Sequence, residues 1–163
     1  MGQETKAFGK AADNEAVWVT TIGPMRTEYI PDELRKYEIA FREQIGMTMD
    51  GHDAKTDKAG NPMFAWATYE SVYMIKRAIE ESGWKSRKDN PAFIKALEGM
   101  RFKASYEFPE GDIYMRAEDH QCFHDESVEK IEDGKWTVIE RVPAKDVYYE
   151  TTVDYTKEKF VTE

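Results

Sequence analysis

The chain is almost without cysteine. Cys122 is the single one among 163 residues, so no disulfide can close within it and cysteine usage gives no sign of compartment. Long apolar runs are missing too. None approaches the roughly 18 residues of a membrane span, and direct membrane insertion is not expected. Positive charge is in deficit, with 23 Lys and Arg against 32 Asp and Glu and a net charge of −9. A sequence-independent nucleic-acid binder needs a basic face, so no nucleic-acid partner is expected. An anionic membrane surface would repel such a chain. The start, MGQETKAFGKAADNEA, is polar and has no apolar core, so no signal peptide is expected in this chain. Taken alone it would stay in the cytoplasm, an expectation that lapses if it is a piece of a longer protein. There is no Walker A sequence, no G-x-G-x-x-G, no G-x-S-x-G and no H-E-x-x-H, and no cofactor is expected. Internal repeats and low-complexity runs are absent.

What is present argues for a folded unit. Hydrophobic residues make up 40% of the chain, with four Trp, nine Tyr and eight Phe, and this length is most simply one domain. The longest clean amphipathic stretch is Met63 to Gly83, MFAWATYESVYMIKRAIEESG. Ala65, Tyr69, Val72, Ile75 and Ile79 recur at helical spacing and predict its buried face. Glu70, Lys76, Arg77, Glu80 and Glu81 take the other side. Pro62 suits the helix start and Gly83 a left-handed C-cap.

Before it, Gly2 to Asn14 reads as a short helix or a loose lead-in. Ala16 to Ile22 reads as a strand of the parallel-sheet type, buried on both faces, because it is nearly continuous in β-branched and aromatic residues. Gly23-Pro24 ends it. Pro31 to Ile45 predicts a helix, with Asp32 and Glu33 in its first turn and Gly46 as its stop. Met47 to Asn61, rich in Asp, Gly and Lys, reads as a mobile surface loop.

After the central stretch, Asn90 is the expected N-cap of a short helix over Pro91 to Glu98. The period then changes to two. Phe102, Ala104, Tyr106 and Phe108 alternate as in a strand, and Pro109-Glu110-Gly111-Asp112 is a turn. Ile113 to Met115 continues extended. Phe123 to Ile131 and Trp136 to Val142 predict a hairpin around Asp133-Gly134. Pro143 to Glu163 matches no element.

Three side-chain groups invite chemistry. If Asp119 to Glu126 is a strand, His120, Cys122 and His124 share a face, and two imidazoles with a thiolate are zinc ligands. Alternation does not make ligands converge, and a strand edge with ordinary polar side chains is the preferred reading. A nucleophilic Cys122 lacks any visible oxyanion device. Asp50, Asp53 and Asp57 suggest calcium but miss the EF-hand order, so a solvated loop is preferred. No metal site is therefore expected. The aromatic group is different. Trp66 and Tyr69 lie near the start of the central helix, and Thr20 and Thr21 at the carboxyl end of the buried strand. Ligands of open α/β sheets bind there, and aromatic walls with hydroxyls suit a small zwitterion or carboxylate. The competing reading makes Trp66 and Tyr69 plain core.

Several segments resemble, in order, the C-terminal part of type I periplasmic binding proteins. These are the substrate receptors of branched-chain amino-acid and amide ABC importers, similar to Leu/Ile/Val-binding proteins. Ala16 to Pro24 (AVWVTTIGP) resembles a strand of their second lobe, and Tyr37 to Gly46 (YEIAFREQIG) the helix after it. Phe64 to Gly83 resembles their signature helix with its early Tyr. Asn90 to Phe102, Gly111 to Gln121 (GDIYMRAEDHQ) and Gly134-Lys135-Trp136 follow in the same order. The resemblance runs from about Ala16 to Val147.

It implies an α/β fold, part of a two-lobed Venus-flytrap with parallel-sheet lobes, helices and a late β-hairpin, incomplete on its own. Residues 1–50 would be a lobe-2-like segment, 51–118 a lobe-1-like segment, and 119–163 an inter-lobe crossing strand, hairpin and tail. The function implied is the solute-binding component of an ABC importer, not an enzyme, with a small amino acid, amide or carboxylate between the lobes. Tyr69, Trp66, Thr20 and Thr21 are the ligand-binding residues expected. An ABC permease would be the partner of the full-length protein, and a homodimer could complete the fragment. The full-length protein would be periplasmic or extracellular, attached to the cell envelope. Two alternatives stand: a truncated relative serving as a sensory or assembly module without transport, and a metal-dependent enzyme around His120, Cys122 and His124.

Overall fold

A computed structural model describes residues 11, 17–20, 24, 26–58, 62–133 and 135–160, without the side chains of 17–20 and 62–64. Apart from residue 11, the expected lead-in over Gly2 to Asn14 lies outside the described residues, as do the stop at Gly23 and the turn glycine Gly134.

Helix α1 is Asp32–Ile45. Pro31 precedes it, and Gly46 ends it at φ +71°, its N–H reaching the carbonyls of Arg42 and Glu43. That left-handed geometry is why glycine stands there. Helix α2 is Pro62–Ser82, the central element. Helix α3 is Asn90–Leu97. Asn90 lies inside this helix and is not its cap. Its N-cap position is Asp89, which makes no side-chain cap hydrogen bond to this helix; the Asp89 side chain serves instead, with Ser86, in a reciprocal capping box around the preceding 3-10 turn Arg87–Asp89. The Trp84 indole donates to Asn90 Oδ1 at 2.9 Å.

The strands are β1 Val17–Thr20, β2 Arg101–Phe102, β3 Ile113–Met115, β4 Cys122–Phe123, β5 Glu126–Glu132 and β6 Lys135–Val142. They form two sheets, ordered β1-β5-β6 and β2-β3-β4. All the described pairings are antiparallel. Strand β1 is thus present where expected, but its described neighbour is β5, with Thr20 opposite Ser127. A continuous β-branched run signals a strand and not the direction of its neighbour. The hairpin β5-β6 is present, with an irregular register between Val128 and Glu129, but its first strand begins at Glu126 and not at Phe123, which belongs to β4 of the other sheet.

The alternation from Phe102 to Phe108 does not make a strand. Only Arg101–Phe102 is extended. Ser105 and Phe108 exchange backbone hydrogen bonds of 3.0 and 3.1 Å, so the chain turns back on itself there. Phe102 and Phe108 still meet, at 4.5 Å between ring centroids, and are buried with Met74 and Ile113 in the core. Tyr106 points outward, 60% exposed.

The face of α2 also differs from expectation. Its buried positions are Trp66, Glu70, Met74 and Ala78, one row at spacing four. Val72 is 60% and Ile75 47% exposed, while Tyr69 and Ile79 are half-buried. Apolar counting put Glu70 outside because it could not see the group that meets it. The loop after α1 is on the surface but tied down. Thr48 and His52 bond to each other through backbone and side chain, Met47 bridges Asp53, and the Arg42 guanidinium donates to the carbonyls of Thr48 and Met49.

The tail acquires a place. Tyr148 stacks on Phe123 at 4.2 Å, the Arg116 guanidinium lies between the rings of Phe123 and Tyr149 at 4.7 Å from each, and the Tyr155 N–H donates to the Glu118 carbonyl at 2.7 Å. These contacts are aromatic stacking, cation–π and backbone bonding, none of which shows as a periodic pattern.

Candidate functional site

The site begins with the packing of α1 against α2. Glu38 and Arg42, one turn apart on α1, are both buried and joined by a 2.6 Å bond from Arg42 Nε to Glu38 Oε1. The Trp66 indole N–H donates to Glu38 Oε2 at 2.7 Å, so both carboxylate oxygens are occupied. Arg42 also donates to the Pro24 carbonyl at 3.1 Å and lies 5.5 Å from the Trp66 ring. Burial lifts the Glu38 carboxyl above its ordinary range, and the Arg42 charge and its hydrogen bonds oppose that.

One turn along α2, Tyr69 enters an aromatic group. Its ring is 5.1 Å from Phe41 and 5.1 Å from Tyr73, and its hydroxyl donates to the Tyr106 carbonyl at 3.0 Å. Burial, the Tyr73 hydroxyl and nearby carboxylates push its phenol up to about 12, so it is a neutral hydrogen-bonding group at neutral pH. Of the four residues the sequence singles out, Trp66 and Tyr69 therefore share one aromatic layer with Phe41. Trp66 is only 1% exposed. Thr20 ends β1 and Thr21 lies outside the described residues.

Next to this layer a cavity of about 340 Å³ opens between α2 and the β2-β3-β4 sheet. Met74, Ile113 and Cys122 give it apolar walls, and Glu70, Glu110 and His124 a polar floor. A second cavity of about 390 Å³ lies on the far side of Glu110, lined by Leu34, Gly111, Asp125 and Arg141 among others. Glu70 accepts the backbone N–H of Glu110 at 3.2 Å, and the two carboxyls also hydrogen-bond to each other. His124 Nδ1 is 3.2 Å from Glu110 Oε1 and 2.7 Å from the Asp125 carbonyl. Burial pushes Glu70 up to about 8, against hydrogen bonds from Glu110 that favour its charged form, and the Glu38 charge adds to the rise. Burial, then the charge and hydrogen bond of Glu70 and the charge of Glu38, hold Glu110 well above the carboxylate range. Burial lowers His124, which favours the neutral ring.

Sequence reading missed Glu70 and Glu110. Glu110 sits in a proline–glycine turn, where a Glu signals only solvent. Nothing local marks it as facing a second carboxyl forty positions away.

His120, Cys122 and His124 do not share a strand face. Strand β4 is only two residues long, and His120 has φ +58°, which breaks the alternation before it starts. His120 turns to Glu98, at 3.4 Å, and to the Tyr155 ring. Among the described residues no group of three His, Cys, Asp or Glu could hold a metal ion. Burial and the charges of Glu70 and Glu110 push the Cys122 thiol up to about 11, so at neutral pH it is protonated and a poor nucleophile. The arrangement offers hydrogen bonds, aromatic faces and shaped space.

Comparison with known proteins agrees with this picture. A family model described as periplasmic binding protein matches residues 4–135. No curated protein matches the chain. A solute-binding protein of an ABC transporter from Rhodopseudomonas palustris HaA2, solved with p-hydroxybenzoic acid, is similar over 78% of this chain and 31% of its own, at 20% identity and a TM-score of 0.55. A periplasmic binding protein from Burkholderia mallei is similar over 94% of this chain and 36% of its own, at 15% identity and a TM-score of 0.63. A branched-chain amino acid ABC transporter protein from Rhodopseudomonas palustris CGA009 is similar over 88% and 34%, at 13% identity and a TM-score of 0.57. At these identities the likeness is one of fold. The chain spans about a third of the length of these solved structures.

Proposed function

The chain belongs to the type I periplasmic binding protein family, matched over residues 4–135, and from that membership we propose that it is part of the solute-binding component of an ABC importer. Its solved neighbours are solute-binding proteins of such transporters, and the family binds substrates without transforming them. The single observation that carries the reading is the family match, which spans most of the chain.

The ligand in this reading is a small amino acid, amide or carboxylate, held between two lobes. The neighbours support the size class. One was solved with p-hydroxybenzoic acid, another with 3,4-dihydroxybenzoic acid, and a third is a branched-chain amino acid transporter protein. Tyr69 contributes an aromatic face at the cleft, with Trp66 as the buried wall behind it, and Thr20 and Thr21 are the other two ligand-binding residues of this reading. The half-buried setting of Tyr69 beside Phe41 and Tyr73 supports that role. In this reading residues 1–50 form a lobe-2-like segment, 51–118 a lobe-1-like segment, and 119–163 the inter-lobe crossing strand, hairpin and tail. In support, β1 pairs with β5 while β2 pairs with β3, so the chain passes from one sheet to the other between Phe123 and Glu126. A permease is the partner of the whole protein, in the periplasm. Among the described residues no helix is long and apolar enough to cross a membrane.

The test is calorimetric titration of the full-length protein with panels of small amino acids, amides and aromatic or aliphatic carboxylates. One panel should give saturable heat, and Tyr69→Ala should weaken it about tenfold or more, the scale of a lost aromatic contact of 1.4 kcal/mol or above. Absence of heat from every panel would sink the proposal.

A further inference from the structure

The cavity of about 390 Å³ is lined from three separate stretches of the chain. Pro31 and Leu34 come from the start of α1, Ala104 and Gly111 from the loop between β2 and β3, and Asp125 and Arg141 from the β5-β6 hairpin and the residue before it. Its size falls in the range of small-molecule pockets, roughly 300–1,000 Å³. Arg141 and Glu110 also line a narrow gap that reaches Trp66. The cavity thus adjoins the aromatic layer that holds Trp66 and Tyr69.

The acids around it are largely spent. Asp112 pairs with Lys103 and accepts the Ala104 N–H at 2.9 Å. Asp125 accepts the Ala144 N–H at 2.9 Å through Oδ1 and Arg141 Nε at 3.3 Å through Oδ2. Glu110 Oε1 is 3.2 Å from His124 Nδ1. The exposed Glu33 stands in the first turn of α1, where the helix dipole favours its charge.

Arg141 is not spent. Among the described residues lining the cavity it is the only cation. Its side chain is 29% exposed and is held through Nε alone, by the Asp125 bond. Neither Nη has a hydrogen-bond partner among the described residues. A guanidinium carries its donors in a fixed planar fork, and a free edge of that fork matches the two oxygens of a carboxylate. Asp125 fixes the plane, and the unused donors remain for a ligand.

We infer that this cavity takes a small carboxylate solute, its two oxygens on the Nη groups of Arg141 and its apolar body against Leu34 and Ala104. The inference rests on the solute-binding reading above and narrows its ligand class. An amide has the shape but not the charge. An α-amino acid brings an ammonium group, and the acids of the cavity wall already have partners. Arg141 is then a specificity-determining residue.

The test is calorimetric titration of the full-length protein with matched probes. Isocaproate, isocaproamide and leucine share one carbon skeleton and differ at the head group. Benzoate and benzamide are a second pair. An acid should bind about tenfold or more tightly than its own amide, the scale of a charge-assisted hydrogen bond. Arg141→Gln should bring the acid down to the affinity of the amide. Arg141→Lys, which keeps the charge without the fork, should restore part of the difference. Three results would each overturn the inference and leave the solute-binding reading in place: acid and amide equal in the wild type, leucine tighter than isocaproate, or an acid preference that survives Arg141→Gln. The first two use the wild type alone, so they hold whether or not the variant folds. Silence of both acids while an amino-acid or amide panel gives heat also overturns the inference alone. Silence of every panel overturns both.

Discussion

At the residue scale, Arg42 shows how much structure one side chain can organise. It is fully buried, neutralises Glu38, and donates to the carbonyls of Pro24, Thr48 and Met49. Arg42→Ala leaves Glu38 as a buried charge without its cation and unties the following loop. The expected loss is about 3–5 kcal/mol of stability, read by urea denaturation. Exchange protection should fall across residues 47–53 at the same time. A loss under about 1 kcal/mol would mean that Glu38 is neutral in the fold. These roles are the least legible part of the sequence. Arg42 reads as one more charge on an amphipathic helix, and Glu110 as a turn residue. Trp66 and Tyr69 stood out because aromatics near a helix start are rare enough to notice, whereas a buried charge is defined by a distant partner.

At the scale of elements, the sequence is far more informative. Helices α1, α2 and α3 lie within a residue or two of where period, proline and glycine put them, and the β5-β6 hairpin starts three residues later than expected, at Glu126. Ends are set by local chemistry, such as Gly46 at φ +71° and Gly83 at φ +66°. Faces are not. Helix α2 buries the row through Glu70 and Met74 because Phe108, Ile113 and Glu110 stand opposite that row. The two faces can be told apart by mutation. Met74→Ala should cost about 2–5 kcal/mol as a core truncation. Val72→Asp should change the stability of this chain by no more than about 0.5 kcal/mol, as a surface substitution does. The reverse order, measured by denaturant titration, would restore the face that apolar counting favours.

At the scale of the molecule, the exposed apolar side chains matter together. Val72 and Ile75 on α2, Ile139 on β6 and Tyr106 are all close to half exposed or more. Exposed apolar side chains favour association, and Val72 and Ile75 lie within one turn of each other on α2. The 163-residue chain should therefore form dimers or larger species at micromolar concentration in sedimentation velocity, and Val72→Asp with Ile75→Asp should shift it toward monomer. A monodisperse monomer would show that this surface is tolerated by itself. Membership of the family was legible because segment order and spacing survive when identity to the solved structures is 20% or less. The ligand was not, because selectivity rests on a few side chains, and the solved structures this chain resembles are about three times its length.

The central claim is that this chain belongs to a two-lobed binder that closes on a small solute. The most direct measurement is small-angle X-ray scattering of the full-length protein, with and without the panel that gives heat. A smaller radius of gyration on saturation, with the forward scattering unchanged, is the predicted result. Saturable binding with no change in radius would contradict closure, and a radius that shrinks only as mass changes would assign the effect to assembly.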